Sequence, residues 1–326
     1  MHQGLECIFD WLQFTIHNWD EQEVIMKVLK LKLADFLELP KGRLGYKKQK
    51  ACGNISVLYD GSDDMGVHVI ISGQGCREFE VFDDILQLLD RIMLFSGKCT
   101  RIDMAIDDKT GIIIPFDKIV EAVHLGYISS RWKTSTEYIK RKLIDGYIIG
   151  HTVNVGSRKS KMYMRIYDKA MEQGTDTPWI RMELEIKDKR AEMLQTVLLF
   201  ENKIGQVFTK IINNYIRLLE PRDDLNRSRW SAAAWWNNLV NEVGKLSLTR
   251  RPEDKSIEEI RTWVKQQIGP TLALLVLADG GSIDDILKTI LEGKSRLKEK
   301  HMRILNKAKE PDDKEKGTGT KGFHPV

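Results

Sequence analysis

The sequence predicts an α+β fold built from two tandem β-α-β-β units. Their antiparallel sheets carry helices on one face, and a helical C-terminal region follows. Segments rich in aromatic and β-branched residues alternate with amphipathic ones, and the order strand, helix, strand, strand occurs twice. Turn-forming residues separate the paired strands. After residue 220, helical periodicity dominates.

The first unit, residues 1–98, begins with the strand-like sequence Phe-Asp-Trp-Leu-Gln-Phe-Thr-Ile at 9–16. Its other elements are a helix over 21–37, strands over 54–59 and 66–72, and a helix over 82–95. Pro40 ends the first helix.

The second unit, residues 99–219, repeats this order of elements without repeating residue identities. It comprises a strand over 100–107, a helix over 116–125, hairpin strands over 150–156 and 161–169, a strand over 179–187 and a helix over 192–215. The polar residues Ser157-Arg-Lys-Ser160 form the turn of the hairpin.

The third region, residues 220–305, predicts helices near 256–268, 270–278 and 282–292. Trp230, Trp235 and Trp236 are expected to pack in the interior, and stacking of these rings on bases is the alternative. Residues 306–326 are charged and rich in glycine, and we expect a disordered tail.

Composition excludes several classes of protein. The 42% hydrophobic and 30% charged content is that of a soluble folded chain, and no apolar run approaches the roughly 20 residues of a membrane span. The four cysteines are scattered without a CxxC pair, which excludes a zinc module or a disulfide framework. We expect a cytoplasmic protein with no membrane partner.

The charge is unevenly distributed. The net charge of the whole chain is +4. The segment from Arg131 to Lys169 contains ten Lys and Arg residues and three Asp and Glu residues, which gives it a net charge of +7. Such a basic block favours a polyanionic partner, and a solvated charged surface is the alternative.

Three strands of the second unit present polar side chains at alternate positions, which share one face of a strand. These side chains are Asp103 and Asp107 on the first strand, Tyr163, Arg165 and Tyr167 on the hairpin, and Arg181, Glu183 and Glu185 on the last. The clustered carboxylates predict either an Mg²⁺ or Mn²⁺ site or a solvent-facing surface of cross-strand acid–arginine pairs. No His-apolar-His triplet occurs, so a two-histidine metal site is excluded.

Three stretches resemble the Rep_trans family of rolling-circle plasmid initiators, phage initiation factors and MobT-type conjugative relaxases. They are Thr-Arg-Ile-Asp-Met-Ala-Ile-Asp-Asp at 100–108, the sequence at 155–169 with its Arg-Ile-Tyr-Asp-Lys motif, and Trp-Ile-Arg-Met-Glu-Leu-Glu-Ile at 179–186. The pieces at 9–12 and 72–80 are similar to the phage and conjugative branch. The resemblance spans residues 5–240.

The resemblance implies the roles of individual residues. Tyr167 would be the nucleophile, flanked by the catalytic residues Arg165 and Lys169, with Tyr163 as its local rival. The metal ligands for Mg²⁺ or Mn²⁺ would be Asp103, Asp107, Glu183 and Glu185. Arg158, Lys159, Lys161 and Arg181 would bind DNA.

The implied function is nicking and joining of one DNA strand, to start rolling-circle replication of a plasmid or phage or conjugative transfer. Tyrosine attack on phosphorus would store the energy of the broken bond in a phosphotyrosine link. Origin DNA, single-stranded or as a hairpin, would be the substrate, and a PcrA/UvrD-type host helicase and a second copy of the chain are expected partners. The alternatives are a non-catalytic sequence-specific DNA-binding replication protein and a metal-dependent nuclease that uses activated water.

Overall fold

The computed structural model describes residues 4–201, 203–224, 226–246 and 264–294, with isolated positions at 257, 260, 261, 297, 302, 305, 306 and 308. The chain divides into two compact units, Met1–Thr249, here called the main unit, and Arg250–Val326, here called the C-terminal unit.

Ten strands of the main unit form one antiparallel sheet. They are β1 (Leu5–Ile16), β2 (Leu37–Leu39), β3 (Lys48–Cys52), β4 (Ile55–Tyr59), β5 (Val67–Ile71), β6 (Lys98–Asp108), β8 (Ser135–Arg141), β9 (Ile148–Val155), β10 (Met162–Asp168) and β11 (Ile180–Lys187). Their order in the sheet is β2-β3-β4-β5-β1-β6-β11-β10-β9-β8. Both predicted β-α-β-β units therefore contribute to a single sheet, which is joined by the pairing of β1 with β6. The short strands β7 (Ile128–Ser130) and β12 (Ile216–Leu218) pair separately.

Helices cover one face of this sheet, which buries the apolar side of each central strand. The helices of the main unit are α1 (Glu21–Glu23, continued as a π-helical turn over Val24–Val28), α2 (Gly73–Phe79), α3 (Ile85–Leu94), α4 (Phe116–Leu125), α5 (Lys169–Gln173), α6 (Lys189–Glu201), α7 (Ile204–Tyr215) and α8 (Ala234–Gly244), which packs on α7. On β6 the residue type alternates rather than the burial: Ile102, Met104 and Ile106 belong to the apolar core, whereas Asp103 and Asp107, at 1% and 2% exposure, lie on the opposite face. The opposite face of the sheet is left for polar side chains.

Two predicted helices differ in extent from the observed ones. The helix expected over 21–37 ends at Val28, because Lys30 adopts the left-handed conformation with φ of 54°. The helix expected over 192–215 is two helices, α6 and α7, since Lys203 has an extended φ of −140° between them. Strands β2, β3 and β8 lie toward the two edges of the sheet and lack the alternation of buried apolar side chains, so the hydrophobic pattern did not predict them.

The C-terminal unit contains a π-helical turn (Val264–Ile268) followed by α9 (Gly269–Ala278) and α10 (Asp284–Lys294). These match the predicted helices near 270–278 and 282–292. Of the predicted helix over 256–268, residues 257, 260 and 261 are α-helical and Val264–Ile268 form the π-helical turn. Its other residues and nearly all of the predicted tail over 306–326 lie outside the described residues. In the main unit, Trp230 and Trp236 are buried at 7% and 1% exposure. This burial favours packing of the predicted tryptophan cluster in the interior over stacking on bases. Within the described part of the chain, no helix is long and apolar enough to cross a membrane.

Candidate active site on the polar face of the sheet

The register of β6, β11 and β10 arranges the predicted site residues in three rows across the face opposite the helices, here called the polar face. Asp103, Glu185 and Tyr163 form the first row; Ala105, Glu183 and Arg165 the second; Asp107, Arg181 and Tyr167 the third. Rows on one face lie two residues apart along each strand, about 7 Å. The structure therefore places the predicted carboxylates beside both tyrosines.

The first row is rich in negative charge and is bridged by Arg101. The guanidinium donates to Asp103 (Nη2 to Oδ2, 2.5 Å) and to Glu185 (Nη2 to Oε2, 2.8 Å), and the Tyr163 hydroxyl donates to the same Glu185 oxygen at 3.0 Å. Burial, with added repulsion from Glu183 and Glu185, raises the pKa of Asp103 to about 7 against the opposing effect of Arg101. Lys187 Nζ also pairs with Glu185, so Arg101 and Lys187 together match the charges of the two carboxylates.

The middle row links the two tyrosine rows through Glu183, which is 1% exposed. Arg165 forms an ion pair with one oxygen of Glu183, and the Tyr167 hydroxyl donates to the other at 3.3 Å. Burial raises the pKa of Glu183. Burial and the neighbouring Glu183 charge also raise the pKa of Tyr167, so its phenol is protonated in the free protein.

In the third row, Arg181 lies at the centre of a buried network with two carboxylates. Arg181 donates to Asp107 through Nε at 2.6 Å and Nη2 at 2.7 Å, and to Asp10 through Nη1 at 2.7 Å. Trp179 Nε1 also donates to Asp107, at 2.7 Å. Arg181, predicted to contact DNA, is 6% exposed and serves as the partner of two carboxylates.

Two lysines surround the third row. Lys169 Nζ lies 5.5 Å from the centre of the Tyr167 ring and 5.9 Å from that of Trp179, and it pairs with Glu172. Lys109 Nζ lies over the face of the same Trp179 ring. Burial lowers the pKa of Lys109, and Arg181 and Lys169 lower it further. Tyr167 thus lies at a cation-rich end of the polar face.

Asp10 was not among the residues predicted for the site. It occupies a β-bulge in β1, where the register to β6 shifts between Phe9 and Trp11. The sequence carries the signal: buried apolar positions are odd-numbered up to Phe9 and even-numbered from Leu12 onward. The bulge inserts one residue and directs the Asp10 carboxylate to Arg181. Gly73 is required beside it, because a Cβ there would lie 2.8 Å from Asp10 Oδ1.

Arg101, Lys109 and Trp179 were likewise missed as site residues. Arg101 precedes Asp103 by two positions on the same face, so strand alternation alone could have found it. Lys109 and Trp179 lie beyond the ends of β6 and β11, where alternation no longer applies.

The predicted basic hairpin turn joins β9 to β10 at the first-row end of the face. Arg158 Nε donates to the Tyr163 hydroxyl at 3.4 Å, whereas Lys159 is exposed. Lys161 is exposed and pairs with Asp188. The turn is therefore next to Tyr163 and distant from Tyr167.

The carboxylates were predicted to hold a divalent cation. Among the described residues, no group of three or more His, Cys, Asp or Glu is arranged to hold a metal ion. Asp107 is committed to Arg181 and Trp179, so it does not fit a ligand role. Asp103, Glu183 and Glu185 have the oxygen ligands that Mg²⁺ and Mn²⁺ prefer and lie on adjacent strands of one face, but in this structure they are not gathered around one cation position. Arg101 and Arg165 occupy the carboxylates in this structure.

Comparison with known proteins gives the family. Residues 97–291 match the replication initiation factor family Rep_trans, and residues 6–94 match the N-terminal domain of rolling-circle replication initiation proteins. The chain belongs to the Rep_trans family. This confirms the resemblance seen in the sequence.

Two relatives support the assignment. NicK of Bacillus subtilis (strain 168), named as a candidate DNA relaxase, is 30% identical over 320 residues, covering 93% of this chain and 89% of NicK. The rolling-circle replication initiator protein from Geobacillus stearothermophilus is 30% identical with a TM-score of 0.72, covering 76% of this chain and all of that one. The α+β class with its antiparallel sheet is that of a rolling-circle initiator.

Proposed function

We propose that this protein nicks and rejoins one strand of origin DNA with Tyr167 as the nucleophile. The observation that carries the proposal is the position of the Tyr167 hydroxyl. It donates to Glu183 on the polar face, with Lys169 beside its ring and carboxylates in the neighbouring rows. A proton acceptor and a lysine therefore lie beside this tyrosine. Tyr163 has Glu185 and Lys187 in corresponding positions, and the Arg-Ile-Tyr-Asp-Lys motif favours Tyr167 as the nucleophile.

The chemistry is a transesterification. The Tyr167 oxygen forms a bond to phosphorus as the bond from phosphorus to the 3′ oxygen breaks, which leaves a 5′-phosphotyrosine link and a free 3′ hydroxyl. Glu183, which accepts the hydrogen bond from Tyr167, is placed to take the phenolic proton, and the 3′ oxygen gains a proton in turn. Attack of the 3′ hydroxyl on the phosphotyrosine reverses every step and rejoins the strand.

Asp103, Glu183 and Glu185 would hold Mg²⁺ or Mn²⁺ on the same face. When bound, such a cation stabilises charge on the phosphate and on the departing 3′ oxygen. Arg101 and Arg165, which pair with these carboxylates, would supply guanidinium donors for DNA phosphates beside them. Lys169 and Lys109 favour both the bound phosphate and the phenolate of Tyr167.

Covalent capture tests the proposal. A supercoiled plasmid carrying the DNA that flanks the gene for this chain is incubated with the protein and Mg²⁺ or Mn²⁺. We expect a denaturant-resistant protein–DNA adduct, mapped by peptide sequencing to Tyr167. Tyr167→Phe should remove the adduct while DNA binding persists, and Tyr163→Phe, on the same strand and face, should retain it. An adduct on Tyr163, or efficient nicking without any adduct, contradicts the assignment.

A specific observation favours a second candidate, a non-catalytic DNA-binding replication protein. Every carboxylate of the three rows has an arginine partner, as in a sheet surface built for binding alone. The same experiment separates the two functions. The non-catalytic protein would bind origin DNA with unchanged affinity in the Tyr167→Phe variant and would nick it in neither form.

A further inference from the structure

The hairpin between β8 and β9 ends in exposed apolar side chains. Leu143 is 102% exposed and Ile144 93%, and Tyr147 follows at 70%. Exposed apolar side chains are common when they are scattered singly, but three close together at one turn form an apolar patch of the kind that marks an interaction site. The turn is well defined: Lys142 N donates to Tyr147 O at 2.8 Å, and Gly146 N donates to Lys142 O at 2.9 Å. Its backbone therefore presents these side chains in a fixed position.

Basic residues precede the apolar tip directly. Lys140, Arg141 and Lys142 are all exposed, and Asp145 is the one acid between positions 140 and 147. A positively charged stem below an apolar tip is complementary to DNA, which offers phosphates along its backbone and apolar base faces where it is unstacked.

The hairpin lies at the Tyr167 end of the sheet. Tyr138 on β8, Thr152 on β9 and Tyr167 on β10 are paired in one row. From Thr152, β9 runs four residues further to Ile148, about 13 Å at 3.3 Å per residue, before the turn begins. The tip therefore projects past the row of Tyr167, whereas the basic turn over 157–160 lies at the opposite end.

Resting on the proposed function, we propose that the β8–β9 hairpin is a wedge that separates the strands of origin DNA beside the nick site. Leu143 and Ile144 insert against the bases at the end of the duplex, and Lys140, Arg141 and Lys142 hold the adjacent phosphates. The exposed Tyr138, in the row of Tyr167, provides an aromatic surface for an unpaired base between wedge and nucleophile. The wedge delivers a single strand to Tyr167.

The test uses the double variant Leu143→Ser/Ile144→Ser of the full chain, with Leu37→Ser/Phe200→Ser as control. The control replaces apolar residues of 73% and 89% exposure outside the hairpin. Two DNAs of the mapped nick sequence are compared, a single-stranded oligonucleotide and a relaxed duplex with 2-aminopurine beside the nick site. We expect the hairpin variant to cleave the single strand within about twofold of wild type and the duplex about tenfold or more slowly, because insertion offsets the cost of unstacking.

The 2-aminopurine fluorescence separates this proposal from the function on which it rests. Wild type and control should raise the fluorescence on binding, even with Tyr167→Phe added, and the hairpin variant should not. Absence of cleavage with intact base opening would contradict the nucleophile and leave the wedge standing. The wedge proposal would be overturned if the hairpin variant lost cleavage rate equally on both DNAs or on neither. It would also be overturned if the wild-type protein did not open the duplex. A shift from dimer to monomer in sedimentation, with both DNAs affected alike, would make the hairpin a contact between copies.

Discussion

The two ends of the polar face carry the same kinds of residues in different surroundings. At the first row, Arg101 and Lys187 pair with Asp103 and Glu185, and Tyr163 lies beneath Arg158 at 2% exposure. Burial and the charges of Glu183 and Glu185 raise the pKa of Asp103 to about 7, and a divalent cation would offset that repulsion. At the third row, Arg181 holds Asp107 and Asp10, and Lys169 and Lys109 lie beside the rings of Tyr167 and Trp179, where they favour a phosphate. From this difference we expect a division of labour along one face of the sheet.

The largest expected effect is a loss of cleavage rate when the carboxylates of the first row cannot bind a metal ion. Chelation with EDTA should stop cleavage, and Mg²⁺ or Mn²⁺ should restore it. Glu185→Gln should lower the cleavage rate by about 10³-fold, because the cation loses a ligand and the leaving oxygen its stabilisation. Single-turnover nicking at saturating DNA and metal measures the rate.

The control for this prediction is Glu121→Gln, which removes an exposed carboxylate outside the three rows. It should keep the wild-type metal requirement. Undiminished nicking in excess EDTA would remove the cation from the mechanism and leave the carboxylates as partners of arginine alone.

The second expected effect compares the stability of the two ends without metal. Asp107→Asn should destabilise the fold by about 3–5 kcal/mol, because Arg181 is left as a buried cation without its bidentate partner. Asp103→Asn should change the free energy of unfolding by less than about 1 kcal/mol, since relief of carboxylate repulsion offsets the lost bond to Arg101.

Urea unfolding of each variant in EDTA measures this difference, with the exposed Asp176→Asn as the neutral reference. Equal losses in the free energy of unfolding for Asp103→Asn and Asp107→Asn would show that the two ends of the face hold their carboxylates equally firmly. The proposed division of labour along the face would then fail.

Strand alternation predicted which side chains share the polar face, but it could not predict their partners. Asp103, Glu183 and Tyr167 were assigned to that face from their own strands. Which residues lie opposite one another depends on the order β6-β11-β10, whose members are distant in sequence. Arg181 therefore looked available to DNA until the register placed it beside Asp107.

Irregular backbone limited the prediction elsewhere. Asp10 reaches the site only through a bulge that changes the alternation of β1, and a strand assigned from residue 9 omits the odd-numbered half of that pattern. Strand β8 is exposed along its length, so it lacked the buried alternate positions that identify a strand. The wedge hairpin was missed for this reason.

The smallest expected effect is on DNA binding at the turn over 157–160. Replacing Arg158 and Lys159 by alanine should weaken binding and reduce the slope of log affinity against log salt by about two contacts, at 0.7 to 0.9 per phosphate. Cleavage at saturating DNA should be largely preserved, because the turn lies at the Tyr163 end. At about 3.3 Å per residue, the eight positions from Lys159 to Tyr167 span about 26 Å.

Arg165→Ala is the matched contrast, because this arginine pairs with Glu183 one row from the nucleophile. It should lose cleavage rate at saturating DNA rather than salt-dependent affinity, since its guanidinium acts on the phosphate at the reaction centre. Fluorescence anisotropy over a salt series and single-turnover nicking measure the two quantities separately. An unchanged affinity and salt slope in the Arg158/Lys159 variant would make that turn a solvated loop. The DNA would then cross the polar face only at its cationic end, between Lys109, Lys169 and the β8–β9 hairpin.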